Sequence, residues 1–155
     1  RLMPNLAAAI GKSPLGLFST ALDDAARTQL NSMLAPLGSP IWLDDEAQMD
    51  AVTALAGSGP AFVYRFIDAL ARGGVAAGLP HDIAAMLALA TVGGAAQLAV
   101  ISAESPGQLA ARVTSPGGTT AAGLSVLDGN AALQKLMEAT LRAARDRGAE
   151  LARGS

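Results

Sequence analysis

The sequence predicts a mainly α-helical chain in which a short α/β segment precedes an all-helical domain. Three observations carry this reading. Runs of β type occur only before Asp44; from Asp45 onward apolar residues recur at helical spacing between Gly and Pro punctuation; and Ile83 to Ile101 is apolar around its whole circumference. The composition agrees: 155 residues, 51% hydrophobic and 15% charged, excludes a disordered segment, and 35 alanines against five aromatic residues favour helices that approach closely. A net charge of -2 with scattered arginines leaves no basic stripe to track a phosphate backbone, so no nucleic-acid partner is expected. The absence of cysteine removes disulfides, thiolate nucleophiles and thiolate metal sites and suits a reducing, cytoplasmic compartment. A single histidine, His81, makes a His-based metal cage improbable, and no metal site is expected.

The elements follow in order. The opening Arg1-Leu-Met-Pro-Asn5 carries no targeting pattern and reads as the start of a fragment, with a strand running into Asn5. Leu15 to Phe18 is an apolar β edge. Asp23 and Asp24 sit where a first helical turn favours acids, Ala26, Leu30, Met33 and Leu34 form one stripe, and Pro36 with Gly38 ends the segment before a β run at Ile41 to Leu43. Three strands and one helix cannot cover both faces of a sheet, so this remnant is expected to have exposed edges. Asp44, Asp45, Glu46 and Asp50 read as a solvated junction and helix start. A helix near Glu46 to Leu55 is stopped by Gly57-Ser58-Gly59; Pro60 opens the next, which ends at Gly73-Gly74; His81-Asp82 opens the long apolar helix. That helix meets the length of a membrane span but lacks basic flanks and an aromatic belt, so burial by protein is preferred to lipid. Five shorter neighbours are too few to enclose it, which predicts an intertwined homodimer. Ser105-Pro106 starts a short helix to Val113, Thr119 to Leu127 forms another, and a final helix follows Asp128-Gly129-Asn130 with arginines toward its C-terminal end.

Chemistry concentrates in Thr114-Ser115-Pro116-Gly117-Gly118-Thr119-Thr120, where two glycines bare backbone amides at a helix start and hydroxyls crowd around them. Such a start binds a carboxylate or phosphate without a charged side chain; an ordinary cap, with Thr114 or Ser115 satisfying the amides, is the plainer reading. Ala56-Gly57-Ser58-Gly59-Pro60-Ala61 is a second glycine-hydroxyl turn, suited to a tight helix crossing. Asn5 places an amide at a strand end, a usual position for ligand groups in open α/β sheets, or else forms a turn. His81 reads as a surface or capping residue, since no second catalytic type lies near it.

The run Arg1-Leu-Met-Pro-Asn5, the run Asp50 to Ala61, Gly78-Leu-Pro80 and Val113-Thr-Ser-Pro-Gly-Gly-Thr-Thr120 together resemble pyrroline-5-carboxylate reductase in order and spacing. The resemblance implies an all-helical C-terminal dimerisation domain at residues 45–155, preceded at residues 1–44 by the α/β remnant of a Rossmann domain. It also implies NADPH or NADH as cofactor, 1-pyrroline-5-carboxylate as substrate and L-proline as product. By the same resemblance Ser115, Gly117, Gly118, Thr119 and Thr120 hold the substrate carboxylate, Thr120 also lies near the ring nitrogen as the catalytic group, and Asn5 and Val113 lie at the nicotinamide end of the cofactor. The family usually has Thr-Pro where Leu6-Ala7 stand, and often Ser where Ala56 stands. Two other readings follow from the residues alone: a helical oligomerisation module, and the second domain of a different Rossmann-type dehydrogenase. The latter would bring a Lys or His base, yet Lys12, Lys135 and His81 lie outside the motifs.

Overall fold

The computed structural model describes residues 1–154 and contains three strands and seven α-helices among them. Strand β1 (Leu2–Met3) pairs antiparallel with β2 (Ser13–Leu17), which pairs parallel with β3 (Gly38–Trp42). Both connections have a local cause. Between β1 and β2 the chain makes a 3-10 turn at Leu6–Ile10 that ends on Gly11 in the left-handed region, a short return of the kind that antiparallel neighbours accept. A parallel pair needs a crossover, supplied by α1 (Asp24–Leu34), whose Asp23 carboxylate caps the Ala26 amide at 2.8 Å. The sheet is thus mixed, with one antiparallel and one parallel pair. Gly38 has φ +149°, and a Cβ there would lie 1.9 Å from the Ser13 carbonyl oxygen, so only glycine lets β3 begin beside β2.

Chain packing forms two compact units: Arg1–Phe62 with the chain from Met137 onward, and Val63–Leu136. In the first, Ser13, Leu15 and Leu17 of β2 are buried, as are Met49 and Ala54. On the other face of the strand Gly16 lets Val52 approach, because a Cβ would sit 2.5 Å from Cγ1 of Val52. The helix expected near Glu46 to Leu55 is compound: a 3-10 turn at Glu46–Gln48, α2 (Met49–Val52), and a π-helical turn at Thr53–Gly57 in which the Ser58 amide donates to the Thr53 carbonyl at 2.9 Å.

Helix α3 (Gly59–Ala76) runs through Gly73-Gly74, the pair at which the sequence predicts its end. Gly74 serves close packing instead: a Cβ there would approach the Ala84 Cβ to 3.2 Å and Leu79 Cδ1 to 3.4 Å. The stop is Gly78 at φ +105°, with its amide bonded to Val75 and that of Leu79 to Gly74, a glycine-terminated C-cap. Helix α4 (His81–Ile101) spans the predicted apolar stretch, followed by α5 (Pro106–Arg112), α6 (Thr119–Asp128) and α7 (Ala132–Arg153). Its own chain buries α4 only at Ala84 and Ala88, while Met86, Leu89, Val100 and Ile101 stand 62% to 83% exposed.

Candidate functional site

The Thr114–Thr120 segment joins two helices, and each of its residues has an identifiable local cause. Upstream, α5 is fixed by a reciprocal cap in which Ser105 Oγ accepts from the Gln108 amide and Gln108 Oε1 accepts from the Ser105 amide at 2.8 Å. Thr114 donates its hydroxyl back to the Ala110 carbonyl at 2.6 Å. One of the four hydroxyls of the segment is therefore committed to α5.

Ser115 to Gly118 then closes a β-turn, the Gly118 amide donating to the Ser115 carbonyl at 3.0 Å. Pro116 and Gly117 occupy its central positions. Gly117 has φ +70°, which matches the Pro-Gly preference of a type II turn. Gly118 caps α6 and has no side chain to offer, so no side-chain cap closes this end; the first helical bond is Ala122 to Gly118, beyond the amides of Thr119, Thr120 and Ala121. The expected alternative, a cap by Thr114 or Ser115, is not formed. A Cβ on Gly118 would fall 2.4 Å from Ser115 Oγ, so the serine hydroxyl lies against the bare glycine beside the open helix start. Thr120 is half-buried while Ser115, Gly117 and Thr119 are exposed. Arg112, just upstream, pairs with Glu104. What the turn offers a ligand is therefore backbone amides, the positive end of a helix and hydroxyls, a set suited to a small carboxylate.

The other predicted positions fall elsewhere. Val113, 67% exposed, borders a groove of about 480 Å³ with Leu98, Ala99, Leu109 and Ala110. Asn5 belongs to the other unit, where it meets the second glycine turn. Its Nδ2 donates to the Ala56 carbonyl at 2.9 Å, its Oδ1 accepts from the Ala7 amide at 2.9 Å, and its own amide donates to the buried Ser13 hydroxyl. Nothing local to either motif joins them; the signal in the sequence is Pro60, which has no N–H for the carbonyl four residues back. His81 is exposed at the first turn of α4 and lines a hollow with Tyr64, Asp68 and Arg72. A hydrogen bond from Arg72 holds the Asp68 carboxyl below its ordinary value against the opposing effect of desolvation, and the charges of Arg72, Arg65 and His81 add to the lowering. Of the junction acids, Asp45 caps Ala47 and Glu46 pairs with Arg1; among the described residues no group of three or more potential ligands could hold a metal.

A sequence model described as pyrroline-5-carboxylate reductase dimerisation matches residues 46–151. The chain belongs to this family. It is 46% identical over 147 residues to a pyrroline-5-carboxylate reductase of Pisum sativum, covering 94% of this chain and 53% of the relative. To that of Pseudomonas aeruginosa it is 43% identical, covering 98% and 56%. The chain thus spans about half the length of these curated relatives. Among solved structures, the pyrroline-5-carboxylate reductase of Coxiella burnetii superposes with a TM-score of 0.92 at 36% identity, over 97% of this chain and 56% of that one. A Plasmodium falciparum pyrroline carboxylate reductase with NADP bound gives 0.77 at 29% identity, over 95% and 60%. The dimerisation description of the family model is in keeping with the expected homo-oligomerisation, and the mainly helical fold agrees with the expected fold class.

Proposed function

We propose that the protein containing this chain reduces 1-pyrroline-5-carboxylate to L-proline, with the Ser115–Thr120 turn as the substrate-carboxylate site. The observation that carries the reading is the uncapped start of α6 at Gly118, flanked by the Ser115 hydroxyl and the half-buried Thr120. The amide of Gly118 is committed to the Ser115 carbonyl, so the open N–H groups of Thr119 and Thr120 hold the carboxylate against the bare Gly118, Ser115 adds a hydroxyl, and Gly117 gives the turn its shape. When bound, NADPH or NADH supplies a hydride to the imine carbon. As electron density reaches the ring nitrogen, that atom needs a hydrogen-bond donor. Thr120 is too weak an acid to protonate it alone, so it orients the imine and relays a proton from water.

The dinucleotide itself is only partly provided for by these residues. No Gly-x-Gly-x-x-Gly turn occurs in the sequence and the side-chain amide of Asn5 is engaged with the protein, so the assignment of Asn5 and of Val113 to the nicotinamide end rests on the family resemblance alone. Residues 1–44 serve as the end of the cofactor domain and 45–155 as the dimerisation and substrate domain, in a cytoplasmic enzyme with a small-molecule substrate and neither nucleic acid nor membrane as partner.

A second copy of the chain covers α4. The exposed leucine, valine and isoleucine side chains and the family's dimerising character support this over lipid. Because association and folding are then linked, the melting temperature should rise with protein concentration, and a folded monomer in sedimentation at micromolar concentration would count against the dimer. The activity is tested with the intact protein by following loss of reduced-nicotinamide absorbance on adding 1-pyrroline-5-carboxylate. Titrating L-proline should also shift the Gly118–Thr120 amide resonances. No turnover, and no shift in those amides, would overturn the assignment and favour a pure oligomerisation module.

A further inference from the structure

The Gly57-Ser58-Gly59-Pro60 turn is the one distinctive motif that the substrate site leaves unused. Three observations place it against the end of β1. Pro60, in the first turn of α3, has no N–H, so the Ala56 carbonyl four residues earlier lacks its helical donor. Asn5 Nδ2 supplies a donor to that carbonyl at 2.9 Å, while its Oδ1 is held by the Ala7 amide, so the side chain is oriented from both sides. Met3 lies over the neighbouring residue, its sulfur 3.3 Å from where a Cβ of Gly57 would stand. The π-helical widening at Thr53–Gly57, which shifts the Ser58 amide onto Thr53, sits at this same point, and such widenings recur at functional sites.

We propose that Asn5 is a positioning residue that replaces the donor missing from Pro60 and fastens the Met3–Asn5 strand end to the start of α3. Its side chain acts on the protein, and it influences turnover by fixing where the strand end lies, not by ligating the cofactor. The consequence for turnover rests on the reductase reading; the fastening itself does not.

The test uses the intact enzyme and three variants: Asn5→Asp, which keeps the acceptor for Ala7 but loses the donor; Pro60→Ala, which restores an N–H to residue 60; and the two combined. Hydrogen exchange is read at the Ser58 and Ala61 amides, whose bonds to Thr53 and Ser58 close the turn. Asn5→Asp should speed that exchange about 10-fold or more by loosening the turn locally. It should lower kcat about 10-fold through misplacement, with cofactor KM changed less than about 2-fold. The double variant should recover most of the exchange protection, because the restored N–H serves the orphaned carbonyl, while kcat stays low, because the strand end is still unfastened. If Asn5→Asp fails to fold, recovery of folded protein in the double variant supports the fastening and continued failure overturns it. A rise in cofactor KM with unchanged exchange would overturn the proposal in favour of direct cofactor contact, and it would equally fall if the double variant exchanged as fast as Asn5→Asp alone or regained full kcat. If the enzyme never reduces 1-pyrroline-5-carboxylate while the exchange results hold, the reductase reading falls and the fastening stands.

Discussion

Two glycine-hydroxyl turns lead into helices in this chain, and they finish in opposite states. At Ala56–Ala61 the protein meets its own backbone: Asn5 reaches the Ala56 carbonyl, Met3 covers Gly57, and nearby Ala54 is buried. At Thr114–Thr120 the turn closes only on itself, through Ser115 and Gly118, and leaves the amides at the start of α6 without a side-chain cap. Proline placement separates the two. Pro60 stands inside its helix and withholds a donor, which the strand end then supplies; Pro116 stands before its helix and shapes a turn that presents donors outward. Glycine beside hydroxyl is thus a common local grammar whose meaning depends on whether another segment arrives to satisfy it.

Substitutions in the intact enzyme can break this contrast or sharpen it. The largest effect belongs to Thr120→Ala, which should lower kcat by about 10- to 1,000-fold with a smaller change in cofactor KM. Retention of wild-type kcat and kcat/KM at every pH would reduce the Thr120 hydroxyl to a bystander. Gly118→Ala comes next: its Cβ must push the Ser115 hydroxyl aside, so kcat/KM should drop about 10-fold while thermal stability changes little. Ser115→Ala removes a single hydroxyl contact and should raise substrate KM about 3- to 10-fold, leaving kcat within about 2-fold. Gly57→Ala is the counter-case. Its Cβ only crowds a flexible methionine sulfur, so it should cost about 1 kcal/mol of stability in denaturant unfolding and leave substrate KM unchanged. Equal damage to substrate KM from Gly57→Ala and Gly118→Ala would erase the distinction between the two turns.

The legible parts of the chain were those governed by local rules. The Asp23 cap, the Ser105-Pro106 start and the opening of α4 at His81 follow from residue chemistry within one turn, and the structure places them within a residue or two of expectation. The Ser115–Thr120 turn was legible for the same reason. Gly73-Gly74 misled because a glycine pair signals either a helix stop or a close approach, and only the position of Ala84, ten residues away, decides for the second. The antiparallel pairing of β1 depended on a 3-10 return at Leu6–Ile10 that alanine-rich sequence does not announce. The bond from Asn5 to Ala56 spans 51 residues and could be anticipated only by asking who serves the carbonyl that Pro60 deserts.

The bare flanks of α4 also bear on how the protein reaches its folded state. In a dimer whose central helix is walled by a second copy, a lone chain stalls as a loosely packed species with an apolar rod open to water, and completing the fold requires a collision. Refolding should then be second order, its half-time shortening in proportion as concentration rises, with a dye-binding intermediate that persists longest in the most dilute samples. A newly made chain would depend in the same way on the local abundance of its own copies, so translation of many copies from one message would speed its maturation with no change in sequence.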